Sequence, residues 1–416
     1  MRICDLTTLY IDGGAGGVNT YLMEKARYLA EYGGGTHHTI IVPGAQNTRQ
    51  SLFNSTIYTI KSPRFFYNPH HRILAHYWQV KQLLRATKPD VIEVDCVYFL
   101  GRWAQAAMGA RHVPLVGFYH THLPSLYARP VTLCFGERAA QILEAWAWRY
   151  MTYCMQPLDC VLVASNAMYT RLVTSIAKKV EYVALGVNLE LFAPRTCSGL
   201  EAERQRPVIL YVGRLSQEKD LAVLCEAFRL LNKRGAYQLH IVGDGPLRPQ
   251  IEAFVRSTAH TLYTGMIPYG ERLAALYATA DVLALPSRNE TFGLTILEAL
   301  ASGIPAVAIH QGGPLDLVHA RVGALAAPGD AGDFATKLEQ VLGDKSLAQH
   351  CRVYAAEHFS WDKTFMKLLT IYETLHTCER KDAASLPSHL PPAYQAAARP
   401  CWFNALAAKL HRTHHD

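Results

Sequence analysis

Short continuous apolar runs alternate with stretches of helical spacing along this chain, and the alternation is played through twice. In the first half, residues 1–6, 38–42, 91–94, 113–120 and 160–164 read as strands. Residues 20–32, with Leu22, Ala26, Leu29 and Ala30 on one side, and 73–87 read as helices. A further helix follows 160–164, with Ser165 and Asn166 as cap candidates. The pattern restarts with strands at 208–212, 238–242, 282–285 and 306–309 and helices at 220–233, 273–280 and 293–301. Strands separated by helices in this way belong in parallel sheets with helices on both faces. The sequence therefore predicts an α/β chain of two doubly wound, Rossmann-like domains. The first spans about 1–190 and the second about 191–360, with a polar, proline-flanked junction near 192–207. Ligands of such sheets bind beyond the carboxyl ends of the strands, so two facing units create an interdomain cleft.

Length supports two or three domains, because 416 residues exceed what one core usually holds. At 50% hydrophobic and 18% charged residues, the composition is globular rather than disordered. The opening MRICDLTTLYIDGG makes a poor secretory signal, since Asp5, Thr7 and Thr8 interrupt its apolar stretch. No uninterrupted apolar run reaches the roughly 18 residues that a membrane-spanning helix needs. Ten cysteines are scattered without a CxxC pair or zinc-like spacing, which predicts reduced thiols in the cytoplasm and no metal site. The net charge of +7 sits mostly in the first half, where residues 1–190 hold 18 Lys and Arg against 12 Asp and Glu. Such an excess suits an anionic membrane surface or acceptor, and equally a generic solubilising surface. The segment 381–416, rich in Pro, Ala and Ser, reads as a flexible tail.

Four segments carry candidate chemistry. The first, 287–298 (SRNETFGLTILE), follows a strand and opens a helix, with Glu290 in the loop and Glu298 about two turns along. A helix N-terminus beside Gly293 offers backbone N–H groups to a phosphate, and carboxylates accept from sugar and ribose hydroxyls. Taken singly, each residue reads more readily as a surface glutamate or a capping glycine. The second, 12–18 (DGGAGGV), has glycines for close backbone approach to a ligand. Counted from Gly14, however, a dinucleotide fingerprint would need glycine where Asn19 stands. The third, 118–127 (FYHTHLPSLY), follows a strand, which places His120 at the cleft. A general-base role is open for His120 or His122. The fourth, 61–85, mixes Arg64, Arg72 and Lys81 with Phe65, Phe66, Tyr67, Tyr77 and Trp78. It suits an anionic bilayer interface, and Arg129, Arg138 and Arg149 around Trp146 and Trp148 extend that surface. An ordinary loop and a core-facing helix is the competing reading. RNA binding lacks any recognised module.

The second half resembles the family-4 retaining glycosyltransferases of the GT-B fold in a run of ordered matches. They are YVGRLSQEKD (211–220), IVGDGPLRPQIE (241–252), YTGMIPYGERLAALYATADVLALPS (263–287), ETFGLTILEALASGIPAVA (290–308) with its E-x7-E spacing, and GGPLDLV (312–318). The resemblance implies that Arg214 and Lys219 hold the donor diphosphate without a metal or cofactor. It implies that Glu290 binds donor-sugar hydroxyls, that Phe292, Gly293 and Leu294 offer backbone N–H groups, and that Glu298 binds the ribose. Gly243, Asp244, Gly245 and Met266 would lie near the base, and Gly16 and Gly17 over the phosphates. The 118–127 segment looks like the HTxxPxY stretch of some mannosyltransferases and sulfolipid-type enzymes, which puts His120 against the donor sugar. The HFSW at 358–361 resembles the segment before a last helix, about 361–378, that crosses back onto the first domain. The expected activity is retaining hexosyl transfer from a GDP-mannose- or UDP-glucose-type donor to a lipid or lipid-linked saccharide, by a protein peripheral to the inner face of the cytoplasmic membrane. The rivals are a nucleotide-sugar epimerase of the same fold and a non-catalytic binding subunit.

Overall fold

The computed structural model describes residues 1–11, 16–65, 68–95, 97–109, 111–120, 136–176, 178–194 and 206–385, with backbone alone at 65, 68–71, 140 and 378–385. From the N-terminus run β1 (Arg2–Leu6), α1 (Gly17–Tyr32), β2 (His37–Gly44), β3 (Thr48–Leu52), β4 (Ser55–Lys61), β5 (Arg64–Phe65), β6 (Asn68–Arg72) and α2 (Tyr77–Thr87). There follow β7 (Val91–Val94), α3 (Leu100–Met108), β8 (Leu115–Phe118), α4 (Glu137–Met155), β9 (Cys160–Val163), α5 (Asn166–Ser175) and β10 (Lys179–Tyr182). Eight of these strands form one sheet in the order β10-β9-β8-β7-β1-β2-β4-β3, parallel except at the edge strand β3, while β5 and β6 pair separately as a short hairpin. Beyond the junction come β11 (Val208–Val212), a 3-10 turn at Gln217–Lys219, α6 (Leu221–Asn232), β12 (Gln238–Val242), α7 (Arg248–Ser257), β13 (Thr261–Gly265), α8 (Glu271–Ala278) and β14 (Val282–Leu285). The chain continues through α9 (Leu294–Ala301), β15 (Ala306–Ile309), α10 (Pro314–Leu317), β16 (Gly323–Ala326), α11 (Ala331–Gly343), α12 (Ala348–His358) and α13 (Trp361–Ser385). The second sheet is wholly parallel, in the order β13-β12-β11-β14-β15-β16. That is the doubly wound Rossmann order, and its first strand sits at the switch point.

The strands coincide with the apolar runs wherever both faces are covered. Val91–Val94, Val282–Leu285 and Ala306–Ile309 are buried at every position. Elsewhere the structure corrects the expected bounds. The helix expected from residue 73 starts at Tyr77, because Ile73 N–H instead donates to the Pro63 carbonyl at 3.1 Å as the chain leaves β6. The strand expected over 113–120 shortens to Leu115–Phe118. The last helix runs on to Ser385, past the expected end near 378. The rest of the expected tail, 386–416, lies outside the described residues.

Each face of the first sheet has its own core. On one face Tyr21, Leu22 and Leu29 of α1 and Phe365, Leu368 and Tyr372 of α13 pack with Ile3, Ile40 and Val116. On the other, Val80 and Leu84 of α2, Leu100 and Ala104 of α3, Met151 and Met155 of α4 and Leu172 of α5 pack with Cys4, Leu6, Val94 and Val161. A buried polar cluster fixes the crossing of α13. The Lys25 ammonium lies 2.7 Å from Asp5 Oδ1 and 3.3 Å from Glu93 Oε1, and donates to the Tyr372 hydroxyl at 2.8 Å. Tyr372 in turn donates to Glu93. His38 bridges Asp5 Oδ2 (2.8 Å) and the Ser55 hydroxyl (2.7 Å). Buried charges persist only when paired in this way. At the crossing itself, a Cβ on Gly186 would come within 2.3 Å of the Trp361 nitrogen, so only glycine lets α13 pass so close.

Candidate active site

A cavity of about 380 Å³ lies where the carboxyl ends of both sheets face each other. Fourteen of the residues singled out from the sequence line it: Gly16, Gly17, His120, Arg214, Lys219, Gly243, Asp244, Gly245, Met266, Glu290, Phe292, Gly293, Leu294 and Glu298. The loops after β1, β8, β11, β12 and β14 supply most of them, as the switch-point rule requires.

Two helix N-termini meet across this cavity. Helix α9 opens at Gly293, held at φ +113°, and α1 opens at Gly16, at φ +103°. That left-handed region favours glycine. A Cβ on Gly17 would lie 3.2 Å from Leu294 Cδ1, so the two openings nearly touch. The first-turn N–H groups of both helices, and the positive ends of both dipoles, therefore converge on one space, an arrangement suited to a diphosphate. Asn19, which breaks the dinucleotide fingerprint, ties the Ile11 backbone to α1. Its side-chain amide accepts from Ile11 N–H at 3.0 Å and donates to the Ile11 carbonyl at 2.8 Å.

The cationic wall comes from the turn after β11. The Arg214 side chain is exposed and makes no ion pair with another described residue, while its carbonyl accepts from the Tyr211 hydroxyl at 2.9 Å. Lys219 closes the 3-10 turn, and its ammonium pairs with Glu290 Oε2 at 2.6 Å. The Glu290 loop is braced from two sides. Arg288 pairs with the buried Asp220 at 2.5 Å, and Gly313 N–H donates to the Glu290 carbonyl at 2.8 Å. A Cβ on Gly313 would come within 2.5 Å of Phe292 backbone atoms. Gly243 and Gly245 are needed for a related reason: Cβ atoms there would come within 1.8 and 2.5 Å of the Gly213 and Leu215 carbonyls. Asp244 spends one oxygen on its neighbour's N–H (Gly245, 2.8 Å), and Met266 stands 41% exposed at the cavity edge.

Burial shifts Glu298 and His120, both of which line the cavity. Glu298 is 7% exposed and accepts from the Tyr277 hydroxyl at 2.7 Å; burial pushes its carboxyl up to about 7. Burial, with Lys25 nearby, lowers His120 to about 3, so it is neutral at any physiological pH. The His120 ring stacks on Phe118 at 4.2 Å, and its Nε2 lies 3.7 Å from Asp95 Oδ1. Asp95 is fully buried and held well above the ordinary carboxylate range, by burial and then by Glu93 and Asp5. His122 lies outside the described residues.

Several residues that sequence reading passed over tie the halves together across the cleft. The Thr291 hydroxyl donates to the His120 carbonyl at 2.7 Å, and the Tyr269 hydroxyl to Glu24 at 2.9 Å. Asp316 accepts from the backbone N–H of Asn166 at 2.6 Å and from its side-chain amide at 3.1 Å. Here too the expected cap is corrected: Ser165 makes no side-chain cap bond, and Asp316 of α10 in the second domain caps α5 instead.

The expected acceptor and membrane residues lie apart from the cavity. Arg64 is exposed. Arg72 donates to the Ser62 carbonyl at 2.7 Å, and Tyr77 meets Trp103 edge-on at 5.6 Å. Trp78 stands 69% exposed with the Lys81 ammonium 4.9 Å from its ring. Phe66, Tyr67 and Arg129 fall outside the described residues. Among the described residues no group of three or more His, Cys, Asp or Glu is arranged to hold a metal, and no helix is long and apolar enough to cross a membrane.

Comparison with known proteins agrees with this geometry. Residues 198–358 match the family described as glycosyl transferases group 1, and residues 15–191 match glycosyltransferase family 4. The chain is 30% identical over 318 residues to a GDP-mannose-dependent alpha-mannosyltransferase of Mycobacterium tuberculosis (strain CDC 1551 / Oshkosh), a match covering 74% of this chain and 79% of that protein. It is 28% identical to a GDP-mannose-dependent alpha-(1-6)-phosphatidylinositol dimannoside mannosyltransferase of Mycobacterium tuberculosis (strain ATCC 25177 / H37Ra), covering 89% and 95%. It is 29% identical to the sulfoquinovosyl transferase SQD2 of Arabidopsis thaliana over 78% of this chain, and spans only 63% of that longer protein. Among solved structures, a sucrose-phosphate synthase from Thermosynechococcus elongatus shares the fold at a TM-score of 0.74 and 21% identity, covering 91% of this chain and all of that one. The chain belongs to glycosyltransferase family 4, with the two facing parallel-sheet units of the GT-B fold.

Proposed function

We propose that this chain transfers a hexose from a nucleoside diphosphate sugar, of the GDP-mannose or UDP-glucose type, to a hydroxyl of a membrane lipid or lipid-linked saccharide, with retained anomeric configuration. The observation that carries the reading is the convergence of two helix N-termini, Arg214 and Lys219 on one cavity that Glu290, Glu298 and His120 also line. The relatives named above that act from GDP-mannose, one of them on a phosphatidylinositol dimannoside, support the donor and acceptor classes. We place the chain in the cytoplasm at the membrane's inner face, a setting compatible with that acceptor class.

In this mechanism the diphosphate sits between Arg214, Lys219 and the openings of α1 and α9, where fixed charge and dipoles meet negative charge as it develops. Glu290 releases Lys219 to the phosphate and takes donor-sugar hydroxyls. Neutral His120 gives the sugar a hydrogen bond from its ring N–H and transfers no proton. The acceptor oxygen bonds to the anomeric carbon on the face that the diphosphate leaves. The electron pair of the broken carbon–oxygen bond goes to the phosphate oxygen, and the acceptor's proton follows it. The products are a glycoside and a nucleoside diphosphate, and two side-chain cations supply the charge balance without a metal cofactor. An epimerase of the same fold would need no acceptor, and a pure binding subunit no reacting cations. Neither draws support from the paired Lys219 and Glu290.

Thermal melting with UDP, GDP, ADP and their sugar conjugates, in chelator and then in magnesium, tests this. One nucleotide family is expected to raise Tm by several degrees, equally with and without magnesium. No shift with any nucleotide, or a shift only with magnesium, would overturn the proposed donor site.

A further inference from the structure

The face of the first sheet covered by α2, α3, α4 and α5 has an outer surface that the transfer site leaves unexplained. Helix α4 is apolar on two sides. Met151 and Met155 point into the core, whereas Ile142, Trp146, Tyr150 and Tyr153 stand 62%, 67%, 43% and 53% exposed. Their spacing of four, four and three residues puts them on one outward stripe. Trp78 on α2 adds a fifth large exposed side chain to the same layer. A monomer rarely leaves such a run of apolar surface to water without a use for it.

Cations are interleaved with these rings. Lys81 lies 4.9 Å from the Trp78 ring centre and Arg149 6.0 Å from that of Trp146. Arg102 lies 3.3 Å from that of Tyr153 and donates to the Tyr153 carbonyl at 2.7 Å. Arg171 covers Trp148 at 4.3 Å and pairs with Glu144 at 3.2 Å. Over the four helices Lys81, Arg85, Arg102, Arg138, Arg149 and Arg171 face only Glu137 and Glu144. Tryptophan and tyrosine flanked by basic side chains match the boundary of an anionic bilayer, where rings enter the acyl edge and cations meet headgroups. Along the chain, α4 is the next described helix after His120 in the cleft.

We propose that the outer face of α2–α5 docks on an anionic lipid leaflet, with the Ile142–Trp146–Tyr150–Tyr153 stripe entering the interface. This rests on the lipid-acceptor reading for its purpose, but its test needs neither donor nor transfer. Full-length chain is sedimented with vesicles of phosphatidylglycerol and phosphatidylcholine, or of phosphatidylcholine alone, at low and high salt. Binding is expected on the anionic vesicles alone and is expected to weaken with salt. The double variant Ile142→Ser with Trp146→Ser should lose at least about tenfold in binding while keeping its melting temperature and its nucleotide shift. Undiminished binding by that variant, equal binding to neutral vesicles, or a wild-type dimer that the variant dissolves would each overturn the proposal. A missing nucleotide shift beside intact vesicle binding would instead count against the donor site alone.

Discussion

Arg214→Ala is expected to lower kcat by about two to three orders of magnitude, the usual loss when a group preorganised on developing charge is removed, while the protein melts at nearly the wild-type temperature. Both parts follow from one feature. The guanidinium is exposed to the cavity and makes no ion pair with another described residue, so its removal strands no buried partner. Lys219→Ala is a contrasting case, because it leaves the Glu290 carboxylate, 17% exposed, without its cation. Its loss of activity should come with a measurable loss of stability. Steady-state kinetics and melting curves on both variants check the pair. Full activity in a folded Arg214→Ala protein would remove this residue from the proposed mechanism.

The second large effect belongs to Glu298, whose sign runs opposite to that of most carboxylates. Its ordinary value is 4.5 and burial raises it to about 7 in the folded chain. The folded protein therefore binds this proton more tightly than the unfolded one. The associated stability is present in full below 4.5 and is lost as pH rises through 7. The difference is worth roughly 3 kcal/mol. Glu298→Gln, which keeps an oxygen for the Tyr277 hydroxyl, should accordingly melt several degrees higher than wild type at pH 8, with the gap closing in acid. Nucleotide binding should move the other way. Ribose hydroxyls donate best to the ionised carboxylate, so wild-type affinity falls as pH drops below 7. The variant binds about tenfold more weakly, with a flat pH profile. Melting curves and nucleotide titrations at pH 6 and pH 8 measure both. A variant no more stable than wild type at pH 8 would show that the carboxylate is not held as described.

Much of this architecture is legible in the sequence because parallel strands buried on both faces leave continuous apolar runs. Val208–Val212, Gln238–Val242, Val282–Leu285 and Ala306–Ile309 stand where those runs predict. Strands with mixed exposure leave no such run. β3 (TRQSL) is an edge strand with three exposed residues, β13 (TLYTG) is buried at no position, and β16 (GALA) is only four residues long, with Leu325 its one large side chain. The candidate site is legible to the extent that residues singled out from separate sequence segments gather around one cavity. Its coupling across the cleft is not, since Thr291 to His120 and Asp316 to Asn166 join positions 171 and 150 apart in the chain. The upward shift of Glu298 is equally hidden, because it comes from burial rather than from a neighbouring charge in the sequence. Gly243 and Gly245 stand out in the sequence as places near a ligand. The structure adds that there, and at Gly313, loops packed against backbone leave no room for a side chain.

The stereochemistry of transfer bears most directly on the proposed chemistry. The wild-type chain would be incubated with the nucleoside diphosphate α-hexose that stabilises it and with acceptor lipid, and the new glycosidic bond read by NMR. Attack on the face that the diphosphate leaves, assisted by Arg214 and Lys219 with His120 held neutral, predicts an α-linked product formed in chelator as readily as in magnesium. A β-linked product would require a base on the opposite face and would contradict the proposed mechanism.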